Sequence, residues 1–134
     1  LQVARSYIKT PFEHQGRAPG SGLDCVGEIV CPLKLLNYPI EDFHAYGRDS
    51  DPVELVRQLD LWFVRKPNKV IELANVLVFW LVHRTKPQHV AWATGDGSMV
   101  HAYGGGKVRE EKISTPNYSS MDWLKHLYLV YELR

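Results

Sequence analysis

A chain of 134 residues, 45% hydrophobic, 11% aromatic and 23% charged, has the size and make-up of one folded domain spanning residues 1–134. That composition excludes a disordered tail, a collagen-like repeat and a low-complexity linker. Sixteen basic against fifteen acidic side chains leave a net charge of +1, too even to indicate a nucleic-acid partner.

No basic stretch followed by an apolar segment opens the chain, so no signal peptide is expected in it, and synthesis in the cytoplasm is. Val3 to Ile8 has apolar residues one turn apart and runs toward Pro11, which predicts a short helix. Pro11 to Gly22 is broken by two prolines and three glycines and reads as a loop. Leu23 to Leu36 reads as a second helix, with Asp24 as its N-cap and Pro32 expected to kink or end it. A third helix fits Asp51 to Val64, with Asp51 as cap and Pro52 at the first helical position. Val76 to Val82 is β-branched and aromatic, the pattern of a buried central strand. It is also the longest apolar run and far short of the ~20 residues that span a bilayer, so no membrane insertion is expected. His89 to Thr94 and Met99 to Tyr103 flank Gly95-Asp96-Gly97-Ser98, a hairpin signal. Val108 to Ile113 and Leu127 to Leu133 complete the strands. Helices first and an antiparallel meander afterwards predict an α+β fold.

Cys25 follows a glycine-rich loop and a capping aspartate, which puts it in the first turn of a helix. Unpaired amides and the positive dipole end favour a thiolate there, so a depressed thiol pKa is expected. Glycines 20, 22 and 27 are expected to keep the approach to it open. The competing reading is an ordinary buried cysteine. Cys31, six positions on, projects about 240° further around a helix, so no disulfide joins the two. Their spacing matches neither a CxxC redox motif nor a zinc pair, and no metal site is expected.

A thiol nucleophile needs a base. Of the six histidines, His14, His44, His83, His89, His101 and His126, only His89 and His101 lie in strands joined by a tight turn. Faces alternate with period two along a strand, so an odd loop puts both on one face. A three-residue loop, Gly95-Asp96-Gly97, sets His101 opposite Ala91 and makes it the diagonal neighbour of His89. Ala91 and Ala93 on that face are expected to leave room for the helix end carrying the thiol. The charged run Arg109 to Lys112 reads as a solvated face, and the four tryptophans as core.

The run TPFEHQGRAPGSGLDCVGEIV, Thr10 to Val30, resembles the GTxYxxGG…GxDCSGL nucleophile motif of the NlpC-type cell-wall peptidases, small papain-like cysteine enzymes. QHVAWATGDGSMVHAYGGGKVREEKI, Gln88 to Ile113, resembles that family's HVGIYxGxGxMIHA motif, with its two histidines twelve residues apart. The details are most similar to the branch carried by phage tails and gene transfer agents. The resemblance implies a papain-like NlpC fold, with N-terminal helices packed on a central antiparallel sheet. It makes Cys25 the nucleophile, His89 the base and His101 the third member, which orients His89 with its ring between Cys25 and His101. Phe12 stands where the family often has a tyrosine bordering the site, with His14 beside it and Asp24 in the structural position before the nucleophile. These three are the expected substrate-side residues. Leu73-Ala74-Asn75-Val76 stands where the family has Pro-Gly-Asp, and Glu28 replaces an apolar or small residue.

The implied reaction is hydrolysis of an amide in the peptide stem of peptidoglycan, commonly between D-γ-glutamate and a diamino acid, with no metal or organic cofactor. Action on the cell wall is expected, within a phage-like particle if tail proteins are partners. The alternatives are a non-catalytic tail assembly module, and a thiol acyltransferase or amidase on the same scaffold.

Overall fold

Two layers of buried side chains, one on each face of the larger of two antiparallel sheets, organise the chain. The computed structural model describes residues 1–42, 52–104 and 106–134. The elements run α1 (Gln2–Ser6), β1 (Arg17–Ala18), β2 (Gly22–Leu23), α2 (Cys25–Leu35), α3 (Pro52–Trp62), β3 (Phe63–Arg65), β4 (Val76–Trp80), β5 (Pro87–Ala93), β6 (Ser98–Ala102), β7 (Val108–Lys112), a 3-10 turn (Trp123–His126) and β8 (Leu127–Leu133). The main sheet has six strands in the order β3-β8-β4-β5-β6-β7. All its pairings are antiparallel. The architecture is α+β, helices first, as the sequence pattern predicts.

Alternation along the strands sorts the side chains. Val90 and Trp92 of β5, with Val76, Val100 and Val108, face the helices and pack on Val26, Ile29 and Val30 of α2 and on Leu55 and Leu59 of α3. Leu77, Phe79, Ala91, Ala93 and Met99 point the other way and are covered by Ile113 and by Trp123 of the 3-10 turn. The two small alanines therefore admit Trp123 rather than the helix that carries the thiol. That expectation is corrected: α2 stacks on the Val90 and Trp92 side.

Pro32 does not end α2, which continues to Leu35. A proline has no N–H, so the Glu28 carbonyl one turn back loses its helical partner. Trp92 supplies the replacement, its Nε1–H donating to that carbonyl at 2.8 Å. The sheet thus repairs the gap and fixes α2 against β5. Trp92→Phe keeps a ring there and leaves the buried carbonyl unpaired. Urea unfolding is expected to show a loss of about 1–3 kcal/mol.

Four further differences have local causes. Arg17 to Gly22 of the expected 11–22 loop, with Leu23 from the expected helix, form the β1–β2 hairpin, which turns at Gly20, whose φ is 87°. α3 stops at Trp62, because Phe63–Arg65 pairs with the end of β8. Its expected cap, Asp51, and His44 lie outside the described residues. β4 stops at Trp80, beyond a register shift against β5. Ala74, in the turn before β4, holds φ at 61°, the conformation a glycine takes without strain.

The β5–β6 connection follows the odd-loop geometry. Ala93 pairs with Met99, and the Thr94 N–H donates to the Ser98 carbonyl at 3.1 Å. Gly95-Asp96-Gly97 remains as a three-residue turn, with both glycines at positive φ. Continuing the register brings His101 opposite Ala91.

Candidate active site

Asp24 caps α2. Its Oδ1 accepts the Gly27 N–H at 2.8 Å and its Oδ2 the Gln15 N–H at 2.9 Å. Arg17 adds a 2.8 Å ion pair to Oδ1. The carboxylate thereby ties the loop before the helix to its first turn, and Cys25 becomes the first helical residue. Gly27 serves close packing: a Cβ there runs into the Gly16 carbonyl oxygen. It brings loop and helix together, where the sequence reading had it clearing an approach.

The thiol environment reverses another expectation. Cys25 is only 7% exposed. Burial pushes its pKa up to about 12, and the Asp24 charge adds to the rise. The N–H groups of Val90 and Val26 and the Arg17 cation pull the other way without offsetting it. The helix start is present, but desolvation outweighs it. Cys25 rests as a neutral thiol. Its alkylation by iodoacetamide, followed by peptide mass mapping, should still be climbing above pH 9. A plateau near pH 7 would contradict a buried neutral thiol. Cys31 is free as well, its thiol against the Arg17 carbonyl at 3.6 Å.

His89 and His101 project from one face of the sheet and meet directly, with His89 Nε2 to His101 Nδ1 at 2.7 Å. Both rings are buried, at 2% and 0% exposure. Trp123 lies over the pair, its ring 5.2 Å from that of His89 and 5.4 Å from that of His101. Tyr103 and Phe79 close the sides. Desolvation in this aromatic cage, and the neighbouring His101, hold His89 well below the ordinary imidazole range. His101 is lowered as well, chiefly by burial, although Glu111 beside it works to raise it. Both rings are neutral at pH 7.

Cys25 comes to β5 from the start of α2, and His89 stands on β5 itself. The thiol accepts from the N–H of Val90, the residue after His89, on the helix side of β5. The imidazole of His89 has Nε2 committed to His101, which leaves Nδ1 as its other nitrogen. Phe12 packs against the same core cluster as Cys25, and its N–H donates to the Gly106 carbonyl at 2.9 Å. His14 is half-buried in the turn that Gly16 closes on Glu13. Asp24 spends both oxygens on protein partners. Among the described residues, no group of three or more His, Cys, Asp or Glu side chains is arranged to hold a metal ion.

The sequence reading missed two features of this site. The sequence reads Trp123 only as core, which it is, but its ring also lies over the histidine pair. Glu111 reads in sequence as part of a solvated charged run, yet it is buried, with its Oε2 2.6 Å from His101 Nε2. Strand register was the available signal: Met99 pairs with Glu111, so residues 99, 101 and 111 share a face.

No family sequence model and no curated protein matches the chain. Solved structures do. An NLP/P60 family protein, similar to lipoprotein, from Staphylococcus aureus superposes with a TM-score of 0.69 at 15% identity, and one from Bacillus cereus with 0.72 at 16%. Each comparison covers 98% of this chain but only 39% and 38% of those longer proteins. The NlpC/p60 domain of peptidoglycan hydrolase SagA aligns over 98% of this chain and 94% of its own length, with a TM-score of 0.67 at 19% identity. The chain shares the NlpC/P60 fold.

Proposed function

We propose that this chain is an NlpC/P60-type cysteine hydrolase that cleaves an amide bond in the peptide stem of peptidoglycan, with Cys25 as nucleophile, His89 as base and His101 orienting it. The observation that carries the reading is local. A cysteine at a capped helix start touches the backbone N–H of Val90, next to a buried histidine that is itself held at 2.7 Å by a second histidine. The shared fold, and the peptidoglycan hydrolase among the similar structures, supply the substrate class.

Thiol and imidazole both rest neutral, so the chemistry starts without a preformed ion pair. The Cys25 S–H bond breaks as sulfur attacks the carbonyl carbon, and the proton passes to Nδ1 of His89. Transfer concerted with attack avoids a free thiolate in a buried site. N–H groups at the start of α2, that of Cys25 among them, steady the oxyanion. His89 then gives its proton to the departing amine, leaving a thioester. Water, deprotonated by His89, releases the acid and restores the thiol. No step calls for a metal or organic cofactor.

Digestion of purified peptidoglycan followed by mass spectrometry of the soluble fragments tests this. The expected products carry a free γ-carboxylate on D-glutamate and a free amine on the diamino acid. Cleavage confined to glycan bonds would overturn the reading. An intact sacculus with a properly folded protein would favour an assembly role beside phage-like tail proteins. Transfer of the acyl group to an added amine in preference to water would favour the acyltransferase.

A further inference from the structure

Glu111 lies on β7, one strand beyond His101 and on the same face of the sheet. Its side chain is 2% exposed. The Oε2 atom takes the 2.6 Å contact with His101 Nε2 and a 2.6 Å hydrogen bond from the Ser119 hydroxyl. Oε1 accepts the Ser119 N–H at 2.9 Å. Burial works to raise this carboxyl, but the hydrogen bonds from His101 and Ser119 overcome it and bring the pKa down to about 2. Glu111 is an anion at neutral pH and can only accept.

That fixes the protons along the row. His101 must carry hydrogen on Nε2 in order to donate to the carboxylate. As a neutral ring it then has a lone pair on Nδ1, and the 2.7 Å contact requires His89 to carry its hydrogen on Nε2. The lone pair of His89 is thereby placed on Nδ1, the nitrogen that would face a thiol.

We propose that Glu111 is a positioning residue, whose carboxylate selects the tautomers of His101 and His89 in turn and so makes Nδ1 of His89 the basic nitrogen. The inference rests on the proposed function for its catalytic consequence, but not for the tautomers themselves. Ser119 holds the carboxylate at its far end. Arg109, the other charged group near the pair, lies opposite His101 in the register and stacks its guanidinium on Tyr118, 4.0 Å from the ring centre. Glu111 exchanges no proton with substrate.

Imidazole nitrogen NMR on the free, histidine-labelled protein at pH 7.5 reads the tautomers directly. Both His89 and His101 are expected as Nε2–H forms. A wild-type protein with either ring in the Nδ1–H form would overturn the proposal, whatever the activity. Glu111→Gln keeps the shape but offers an amide that can donate to His101 Nε2. It is expected to shift both rings toward the other tautomer and to lower kcat about tenfold or more, with KM within about twofold. Glu111→Gln that folds and leaves tautomers and kcat unchanged would also overturn it, while the peptidase reading stood. The expected tautomers in a protein without hydrolase activity would remove the peptidase reading and leave the positioning relation intact.

Discussion

His89→Ala is expected to lower kcat/KM for stem-peptide hydrolysis by about three orders of magnitude. A positioned general base contributes roughly 10²–10⁴-fold, and in the proposed scheme His89 serves both half-reactions. The neutral resting state sharpens the effect. With the thiol pKa near 12, almost no thiolate exists at pH 7 to react unaided. In the proposed scheme His101 acts through His89, so His101→Asn or Gln, which can still hydrogen-bond to His89, should retain clearly more activity than His101→Ala. The assay is the initial rate of fragment release, with each variant checked for folding by circular dichroism. His101→Ala as active as wild type beside an inert His89→Ala would remove only the orienting role.

Glu28→Leu is expected to stabilise the fold by about 3 kcal/mol at pH 7. Glu28 sits in the first turn of α2 with no exposed surface, and neither carboxyl oxygen has a hydrogen-bond partner among the described residues. Burial raises its pKa from 4.5 to about 9, so it is protonated in the folded chain at neutral pH. Its favourable contribution is fully present below the unfolded value of 4.5 and is lost as pH rises through about 9. Between 4.5 and 7 the loss is about 1.4 kcal/mol per pH unit, because only the unfolded chain gives up its proton. Leucine removes that slope and the unpaired oxygens together. Urea unfolding at several pH values should show a gain that is small near pH 4 and grows toward pH 8. A gain independent of pH would mean the carboxyl is ionised in the fold. The buried histidines act in the opposite sense. Their lowered pKa values stabilise the fold above 6.5 and cost stability as pH falls below it.

The parts of this molecule legible in its sequence are those set by local periodicity. Hydrophobic alternation and Gly95-Asp96-Gly97 sufficed to put His89 and His101 on one face, because loop parity alone decides it. Asp24 as a cap follows from residue type and position. What escaped depends on the third dimension. Trp92 rescuing the Glu28 carbonyl joins residues 64 apart in sequence, so Pro32 read as a helix end. Phe63–Arg65 became a strand because β8 offered it an edge, which nothing near residue 63 announces. The raised Cys25 pKa reflects burial against β5, whereas the sequence exposed only the helix-start effect opposing it. Glu111 hid in a charged run because the groups that hold it inside, His101 and Ser119, are brought to it by the fold and not by the run itself.

The most direct test of the central claim is the release of fragments from purified peptidoglycan by Cys25→Ala, beside wild type at equal concentration. The account predicts no release above the protein-free control, since in the proposed scheme Cys25 is the group that forms the thioester. Release at the wild-type rate would contradict it and end the cysteine hydrolase reading.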